Sequence, residues 1–492
     1  MTETHLESKS LNDIRFLTFN VNGIRTLFNY HPFDEMESSL YKVFDYLKSD
    51  IITFQELKTE NTAITKWGRI PGFYSFISIP KKKKGYSGVG CWIRIPDQAD
   101  PLYNILRVVK AEEGLTGYLS VKRGKGHVRY KDDDTLGIGG YESLGIENEQ
   151  DALILDSDGR CVMVELACNI VVISTYCPAN SSLSDSGEDH RLKFLRVLFR
   201  RIKAIIALGK QVVLMGDINV CRDLIDHAEG LEKSGIRIGD WRRGNDLEAA
   251  NPSAVRDFIF EPSRVGRRLL NEILADSVIP ELASHGHLVD TTRHAQGRDR
   301  LKLYTVWNTL KNSRLINYGS RVDYILMSKG LRAQISQGNI WPQVLGSDHC
   351  PIFCDLNTAG LSVESAGQTI PIPRFEARYK YGLNHGDISI LLPACLKRSL
   401  PEKTVSPAPK RLNLAKKAQQ TSIDSMASKS FAKTMALFGD EPPLCRHNEK
   451  AVLRTSKTSN NPGKRFWVCS RPKGETGDPA ASCGFFEWKQ KP

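Results

Sequence analysis

The chain has 492 residues, 40% of them hydrophobic, which is enough for one large folded unit with appendages or for two to three domains. Its formal net charge of +12 favours a polyanionic partner, either nucleic acid or an anionic lipid surface. The excess lies in the tail, where residues 357–492 carry 22 Lys and Arg against 11 Asp and Glu. The sequence predicts neither a secretory leader nor a membrane span, because it lacks an apolar leader and any run of about 18 uncharged apolar residues.

Short β-rich runs follow one another through the first two thirds of the chain, and helical segments separate them. They predict strands at residues 14–19, 51–54, 73–79, 89–95, 161–166, 170–176, 211–215 and 322–327. The clearest helix is predicted from Asp189 to about residue 208, where Leu and Ile recur at helical spacing beside a basic face. This alternation predicts an α/β domain at residues 1–356.

Three further segments differ in composition from this domain. Residues 110–150 are rich in glycine and charge and predict an inserted hairpin or a long surface loop without a function of its own. Residues 357–443 are rich in Ser, Pro, Ala and Lys and predict a flexible linker. The Cys and aromatic content rises again at residues 444–492, which predicts a small compact domain.

Polar side chains come directly after several predicted strands, where α/β sheets present ligands and catalytic groups. Taken singly, each side chain could cap a helix or stabilise a turn. The placement recurs at six strand ends, which favours one shared site. The candidates are Asn20, Asn22, Glu56, Tyr176, Asp217, Asn219, Asp323, Asp348 and His349.

These residue types suit the hydrolysis of a phosphodiester, an anion that repels hydroxide until its charge is neutralised. Carboxylates such as Glu56 and Asp348, with an amide such as Asn22, form an oxygen-rich set suited to Mg²⁺ or Mn²⁺ rather than to zinc. His349 can hydrogen-bond a phosphate oxygen if a second carboxylate fixes its ring, and Asp323 is the candidate for that carboxylate.

Seven short strings resemble the exonuclease III family of AP endonucleases, and they occur in that family's order over residues 13–356. They are N-V-N-G-I-R at 20–25, Q-E-L-K at 55–58, G-Y-S-G-V-G at 85–90, Y-C-P at 176–178, G-D-I-N-V at 216–220, R-V-D-Y at 321–324 and G-S-D-H-C-P at 346–351. The resemblance implies a four-layer α/β sandwich of the endonuclease/exonuclease/phosphatase fold, with two sheets face to face and helices outside.

The resemblance also implies a metal site. Glu56 matches the family's metal-binding glutamate, and Asp348 lies in its metal-associated Ser-Asp-His motif. The implied set around Mg²⁺ or Mn²⁺ is Asn20, Asn22, Glu56, Asp217, Asn219, Asp348 and His349.

Catalytic roles follow from the same resemblance. Asp217 matches the aspartate proposed to activate the attacking water, and Asn219 matches the asparagine that positions that water or the phosphate. His349, oriented by Asp323, matches the phosphate-binding histidine. Tyr176 matches a tyrosine near the scissile phosphate.

Two departures from the family pattern modify these expectations. Asn22 stands where many relatives have Asp, which removes one negative charge from the metal site. Ser320 stands where many abasic-site enzymes have Trp, while Trp307 remains as a candidate DNA contact. The pocket for an abasic residue is therefore expected to be more open, with weaker abasic incision and relatively more processing of 3′ ends.

Four soft ligands in the tail supply the number that a closed tetrahedral zinc site requires, although their spacing fits free cysteines equally well. The ligands are Cys445, His447, Cys469 and Cys483. Residues 461–469 and 483–488 resemble a GRF-type zinc finger, a module found at the end of the AP endonuclease 2 branch of this family. The resemblance implies binding of single-stranded DNA. The candidate contacts are Lys464, Arg465 and Arg471.

These features together predict a DNA repair nuclease that uses Mg²⁺ or Mn²⁺ and carries a structural Zn²⁺. It is expected to incise on the 5′ side of abasic sites and to act at 3′ ends as a 3′–5′ exonuclease and phosphodiesterase. The expected partners are damaged double-stranded DNA at the first domain, single-stranded DNA at the finger, and a sliding clamp through a degenerate motif near Gln420, with no membrane partner. The expected location is the nucleus, with the mitochondrion left open. The alternative is a DNA-binding scaffold with a vestigial nuclease site, for which Asn22 is the only support.

Overall fold

The structure is a computed structural model that describes residues 6–81, 83–180, 183–363, 370–383, 443–455, 465–471 and 482–488. It divides into two compact units, Met1–Leu396 and Lys397–Pro492. Within these described ranges, no helix combines the length and the apolar character needed to cross a bilayer.

Strands and helices of the described residues alternate along the first unit, and the last three strands belong to the second unit. The strands are β1 (Asp13–Asn20), β2 (Ile51–Gln55), β3 (Phe73–Ser78), β4 (Val89–Arg94), β5 (Val108–Glu113), β6 (Ser120–Arg123), β7 (Gly126–Arg129), β8 (Cys161–Leu166), β9 (Ile170–Tyr176), β10 (Gln211–Asp217), β11 (Leu288–Asp290), β12 (Val306–Trp307), β13 (Gly319–Ser320), β14 (Asp323–Ser328), β15 (Ile335–Ile340), β16 (Ile352–Asn357), β17 (Val452–Thr455), β18 (Arg465–Val468) and β19 (Phe486–Trp488). The α-helices are α1 (Leu40–Leu47), α2 (Ile64–Gly68), α3 (Glu149–Asp156), α4 (Asp185–Ala207), α5 (Ala228–Lys233), α6 (Gly244–Ala250), α7 (Pro252–Phe260), α8 (Val265–Ile273), α9 (Pro280–Ala283), α10 (Thr291–Gln296) and α11 (Ala377–Lys380).

Two six-stranded sheets form the centre of the first unit. Their strand orders are β15-β16-β1-β2-β4-β3 and β11-β14-β10-β9-β8-β5. Successive side chains of a strand point to opposite faces of its sheet. Phe16 and Ile51 of the first sheet share one buried core with Val172 and Met215 of the second. The two sheets therefore pack face to face.

Helices cover the outer face of each sheet. Leu195 and Leu198 of α4 pack with Leu214 of β10 on the second sheet. Phe44 of α1 packs on the first sheet, where its ring centroid lies 5.9 Å from that of Phe54. The predicted four-layer α/β sandwich is confirmed.

Helix α4 begins at Asp185, four residues before the predicted start, and ends at Ala207. The Ser184 side chain accepts a hydrogen bond from the Gly187 N–H, and acidic residues occupy the first turn, where they favour the positive end of the helix dipole. The hydrophobic spacing misses this turn because the turn is polar.

Five strands bring their polar ends to one edge of the sandwich. Parallel β1 and β2 pair Asn20 with Gln55, the last residue of β2. Parallel β9 and β10 pair Tyr176 with Asp217. Strand β14 runs in the opposite direction, so its first residue, Asp323, also pairs with Asp217. This edge carries the candidate site.

The glycine-rich segment 110–150 contains a hairpin, the first of its two predicted forms. Strands β6 and β7 pair antiparallel and form this hairpin. The first residues of the segment, from residue 110, belong to the end of β5. Leu119, Tyr130 and Ile138 are buried, so the insertion also contributes to the core. The prediction of a surface loop is wrong for these residues.

The first folded unit extends beyond Leu356, where the predicted domain boundary lies. Phe375 is 1% exposed, and its ring centroid lies 5.9 Å from that of Phe76. The Glu376 carboxylate accepts a hydrogen bond from the Ser75 N–H. The prediction of a flexible linker at 357–443 is therefore wrong for residues 370–383, because two anchoring residues lie inside a Pro-rich composition.

In the second unit, β17, β18 and β19 form an antiparallel sheet. Aromatic side chains cluster on this sheet. The Phe466 ring centroid lies 4.9 Å from that of Phe486 and 5.5 Å from that of Trp488. The predicted compact domain at the end of the chain thus contains a small packed sheet.

Candidate active site

Three predicted site residues have left-handed backbone conformations, which are uncommon for residues other than glycine. The φ angles are +46° at Asn22, +52° at Glu56 and +54° at Asn219. Gly216 has φ +140°, and a Cβ at that position would come within 2.0 Å of the Thr175 carbonyl oxygen. The left-handed residues thus turn the chain just after β1, β2 and β10, at the edge where the candidate side chains lie.

Asn20 joins two of the predicted carboxylates. Its Nδ2 donates to Glu56 Oε1 at 3.0 Å and to Asp217 Oδ2 at 2.9 Å. Its Oδ1 accepts a hydrogen bond from the Asn22 N–H at 3.0 Å. Asn20 is fully buried, so its two hydrogen bonds fix the positions of the Glu56 and Asp217 carboxylates relative to each other.

Asp217 lies at the centre of the site and is 1% exposed. Its Oδ1 accepts a hydrogen bond from the Asn219 N–H at 2.9 Å. Burial, followed by the nearby carboxylate of Asp323, raises the pKa of Asp217 to about 7. A carboxylate with this pKa can accept a proton at neutral pH.

Asp323 and His349 form a buried pair. His349 Nδ1 lies 2.8 Å from Asp323 Oδ2, and the Thr305 hydroxyl donates to the same oxygen at 2.6 Å. Burial alone lowers the pKa of His349, but the carboxylates of Asp323, Asp217 and Asp348 raise it to about 10. The imidazole is therefore protonated at neutral pH, and both ring nitrogens can donate.

A second corner of the site is rich in oxygen atoms. Asn22 Nδ2 donates to Asp348 Oδ1 at 2.9 Å. The Lys58 ammonium donates to Asn22 Oδ1 and lies 2.8 Å from Glu56 Oε2. Burial opposes ionisation of Glu56, but hydrogen bonds from Lys58 and Asn20 lower its pKa overall. These oxygens thus already bind a cationic group.

Tyr176 lies at the end of β9, beside Glu56. Burial, with the carboxylates of Glu56 and Asp217 nearby, raises the pKa of Tyr176. The phenol is therefore neutral and serves as a hydrogen-bond donor. The guanidinium of Arg160 lies over its ring, 4.8 Å from the centroid.

The four predicted zinc ligands converge in the second unit. Their ligand atoms all lie within 4.8 Å of one another, and they belong to Cys445, His447, Cys469 and Cys483. The Cys469 Sγ lies 3.5 Å from His447 Nδ1. Desolvation opposes ionisation, but backbone hydrogen bonds of Arg471 and Cys483 lower the pKa of Cys469 to about 6. The set has the ligand number and the thiolate character of a structural zinc site.

The predicted contacts of the finger fall in different surroundings. Arg465 is exposed on β18. Arg471 pairs with Glu449 at 2.5 Å. Lys464 and the clamp motif near Gln420 lie outside the described residues.

Comparison with known proteins identifies the first unit. The model of the endonuclease/exonuclease/phosphatase family matches residues 17–349. The chain belongs to this family. A second model, of the GRF zinc finger, matches residues 443–492 and covers the four converging ligands.

The chain is similar over its whole length to proteins named DNA-(apurinic or apyrimidinic site) endonuclease 2. It is 51% identical to that of Saccharomyces cerevisiae, with 99% of both chains covered. It is 25% identical to that of Homo sapiens, with 97% of this chain and 99% of the human chain covered. In fold, it is similar to the APE2 catalytic domain of Xenopus laevis, at a TM-score of 0.55 and 24% identity, over 74% of this chain and 97% of that one.

One predicted residue of this endonuclease/exonuclease/phosphatase site differs from expectation. Trp307 is only 4% exposed, and its indole N–H donates to Asn317 Oδ1 at 3.0 Å. The guanidinium of Arg314 lies 4.5 Å from its ring centroid. Neighbouring side chains cover most of the ring in this conformation, so a contact of Trp307 with DNA stays a prediction.

The motifs of the endonuclease/exonuclease/phosphatase family do not reveal every residue of the site. Lys58 contacts two predicted metal ligands, Asn22 and Glu56. The sequence motif at 55–58 suggests a role for Glu56 only. Arg191 of α4 donates to the Asn219 carbonyl oxygen at 3.0 Å. The position of Lys58 two residues after Glu56 could have suggested the first contact, whereas Arg191 carries no local signal.

Proposed function

We propose that this chain is a DNA repair nuclease that hydrolyses phosphodiesters on the 5′ side of abasic sites and at 3′ ends. The observation that carries the proposal is the convergence of Asp217, Asn219 and the Asp323–His349 pair at one sheet edge. The full-length similarity to proteins named for abasic-site endonuclease activity supports DNA as the substrate. We include 3′–5′ exonuclease and 3′-phosphodiesterase activity in the same site, because the same bond is broken.

We propose a divalent cation, Mg²⁺ or Mn²⁺, at the oxygen-rich corner. The residues fit such an ion, because Glu56 and Asn22 already bind the Lys58 ammonium through oxygen atoms and Asp348 lies within hydrogen-bond distance of Asn22. Hard divalent cations prefer carboxylate and amide oxygens. When bound, such an ion neutralises phosphate charge and lowers the pKa of water.

Asp217 accepts a proton from the attacking water in this proposal. The hydrogen bonds from Asn20 and from the Asn219 N–H hold its two oxygens in place. Asn219 Nδ2 donates to the Cys177 carbonyl oxygen at 2.9 Å, which fixes the side-chain amide beside the water position. The pKa near 7 suits a general base at neutral pH.

His349 and Tyr176 stabilise negative charge on the phosphate. The Nδ1 atom of His349 faces Asp323, so its other nitrogen is available to donate to a phosphate oxygen. The neutral phenol of Tyr176 supplies a further donor at the end of β9. Both groups act without taking up a proton; Tyr176 is held at the end of β9, and His349 is held by Asp323.

We propose that the second unit holds a structural Zn²⁺ and binds single-stranded DNA. Its thiolate and imidazole ligands fit zinc, and its exposed Arg465 and aromatic cluster suit phosphate contact and base stacking. A tethered DNA-binding module raises the local concentration of substrate. We propose a nuclear location, with the mitochondrion left open, because DNA is the proposed substrate.

The test uses a duplex with a central abasic site and a recessed duplex carrying a 3′ phosphoglycolate. We expect both to be cleaved in the presence of Mg²⁺ or Mn²⁺ and not in EDTA. Asp217→Asn should reduce both rates about 10²- to 10⁴-fold, because its amide cannot accept the proton. Equally negligible cleavage by wild type and Asp217→Asn would overturn the proposal and favour a DNA-binding scaffold.

A further inference from the structure

A cavity with cationic walls lies between the β6–β7 hairpin and residues 370–383. Its volume is 630 Å³. The basic side chains that line it are Lys122, His127, Arg374, Arg378 and Lys380. We call this cavity the hairpin groove. None of these residues belongs to the candidate active site.

Both walls of the hairpin groove are attached to the core of the first unit. Val121 and Tyr130, on the hairpin side, are 9% and 2% exposed and pack in the core between the two sheets. Phe375 belongs to the same core on the other side. Lys380 Nζ lies 2.7 Å from Glu113 Oε1, so the carboxylate at the base of the groove is paired. A groove with fixed walls binds a ligand without a large ordering cost.

The hairpin wall has a strong positive charge. Residues 120–131 contain five Lys and Arg and no Asp or Glu. Three of these cations pair with acidic residues elsewhere in the insertion. Lys122 and Lys125 are exposed and have no ion pair with any residue that the structure describes. These two side chains are therefore available to an anionic partner.

The register of the second sheet places the hairpin groove at the same edge as the active site. Glu113, at the end of β5, pairs with Val162 of β8. Val162 pairs with Ser174 of β9, two residues before Tyr176. Neighbouring strands lie about 4.8 Å apart, so Glu113, at the base of the groove, lies about 10 Å across the sheet from β9.

A further cation lies between the two sites. Arg160 immediately precedes β8, the strand between β9 and β5. Its Nη1 donates to the Tyr176 carbonyl oxygen at 3.2 Å, and its guanidinium lies over the Tyr176 ring. Arg160 is itself buried and pairs with Asp158 at 3.3 Å, so it links the ends of β8 and β9 and leaves the exposed positive charge to Lys122 and Lys125.

We infer that the hairpin groove binds the phosphate backbone of the substrate DNA, about three nucleotides from the scissile bond. This inference rests on the function proposed above. Phosphates of one strand follow one another at about 3.4 Å along the duplex axis, so about 10 Å corresponds to about three nucleotides. Lys122, which lines the groove, and Lys125, in the β6–β7 turn beside it, contact phosphates without reading bases, which adds affinity for longer duplexes of any sequence.

The experiment uses the full chain and duplexes with one lesion, in which the arm on each side is extended separately by single nucleotides. The dissociation constant Kd is measured by fluorescence anisotropy without added divalent metal, and cleavage is measured separately with Mg²⁺. The variant is Lys122→Gln/Lys125→Gln. The matched control is Lys329→Gln/Arg332→Gln, two exposed cations that follow β14 at the opposite edge.

For wild type and control, we expect Kd to fall when one arm grows past about three nucleotides. Lys122→Gln/Lys125→Gln should lose this gain, and its slope of log Kd against log salt should decrease by about 0.9 for each lost phosphate contact. A variant that keeps the wild-type length dependence and salt slope would overturn the inference. Absence of metal-dependent cleavage, with the Kd pattern intact, would instead overturn the proposed nuclease function alone.

Discussion

The conformation of Asn219 depends on a contact from outside its own motif. Arg191 Nη2 donates to the Asn219 carbonyl oxygen at 3.0 Å, and Arg191 Nη1 lies 2.7 Å from Glu188 Oε1. Gly266 of α8 faces the guanidinium, and a Cβ at that position would lie 3.2 Å from Nη2. Arg191 is thus a positioning residue, because its contact with the carbonyl oxygen supports the left-handed backbone at Asn219.

We expect Arg191→Lys to lower kcat about 10- to 100-fold with little change in KM. Lysine keeps the charge but cannot make both contacts, so the Asn219 amide shifts relative to the attacking water. Steady-state kinetics on the abasic duplex measure the effect. Arg196→Lys, exposed on the same helix, is the control and should match wild type. Additive losses in the Arg191→Lys/Asn219→Ala double variant would contradict a role that acts through Asn219.

Ser320 lines a cavity of 740 Å³ that also includes Asn219. We expect this cavity to hold the abasic sugar when that nucleotide is turned out of the DNA helix. A Trp side chain at position 320 would narrow the cavity around it. We expect Ser320→Trp to raise the rate of abasic incision relative to 3′-phosphoglycolate removal, about 3- to 10-fold. The ratio of the two rates on matched duplexes is the measurement. Ser234→Trp, elsewhere in the same cavity, should leave the ratio unchanged. An unchanged ratio in Ser320→Trp would show that the open pocket does not set the preference.

At the scale of residues, the sequence predicts which side chains meet, but not how they are held. Asn20, Glu56 and Asp217 are recognisable because each polar residue follows an apolar strand, and the structure brings them into direct contact. The contact from Arg191 arises only when α4 packs across the sheet. The burial of Trp307 depends in the same way on Arg314, which is close in sequence but is placed by tertiary packing.

At the scale of elements, a buried carboxylate fixes the turn that leads into the hairpin. Asp156, at the end of α3, accepts hydrogen bonds from the Leu115 N–H at 2.6 Å and from the Thr116 N–H at 3.1 Å. Burial raises the pKa of Asp156 from its ordinary value of 3.8 to about 6. The folded chain therefore binds a proton at a higher pH than the unfolded chain.

This difference predicts a specific pH dependence of stability. The contribution of Asp156 is fully present below about pH 4 and is lost as the pH rises through about 6. We expect Asp156→Asn to remove a pH-dependent change on the order of 1 to 3 kcal/mol, measured as the free energy of unfolding in urea from pH 4 to 7. Asp134→Asn, exposed in the same insertion, should keep the wild-type slope. Parallel curves for Asp156→Asn and wild type would contradict the raised pKa.

The segment after β16 is a second element whose packing can be tested. Phe375 is buried against Phe76, and we expect Phe375→Ala to lower the free energy of unfolding of the first unit by about 3 kcal/mol. Urea denaturation measures the loss. The exposed neighbour Arg374→Ala should cost less than about 0.5 kcal/mol. Equal stabilities of the two variants would mean that residues 370–383 do not belong to the folded unit.

Strands buried on both faces were the most predictable elements, because they form continuous apolar runs. Residues 161–166 and 170–176 match β8 and β9 to the residue. Segments without such runs were less predictable. The insertion and the segment at 370–383 each attach to the core through a few isolated residues, and composition alone identified them as solvent-exposed.

At the scale of the whole molecule, charge and chemistry are divided between the two units. The first unit carries the oxygen-rich nuclease site, whereas the second carries the thiolate cluster and belongs to the tail with its excess of Lys and Arg. Among the described residues, the hydrophobic core clusters lie within the first unit and the four thiolate and imidazole ligands lie within the second, so loss of one metal site should leave the other unit folded. This division predicts separable effects on single-strand binding and on cleavage.

Removal of zinc tests the division directly. A sheet as small as β17–β19 depends on its bound metal to fold. In isolated fingers, structural zinc contributes about 10 to 16 kcal/mol to the free energy of folding. We expect Cys469→Ala to lose zinc by mass spectrometry and to weaken single-stranded DNA binding about tenfold or more, because the stacking aromatics lose their support. Its kcat on a short abasic duplex should equal that of Ser470→Ala, the neighbouring control that retains the four ligands.

Asp217→Asn should show the reverse pattern, with zinc content and single-strand binding intact and cleavage lost. If Cys469→Ala also unfolds the first unit, the two units depend on each other and the division is wrong.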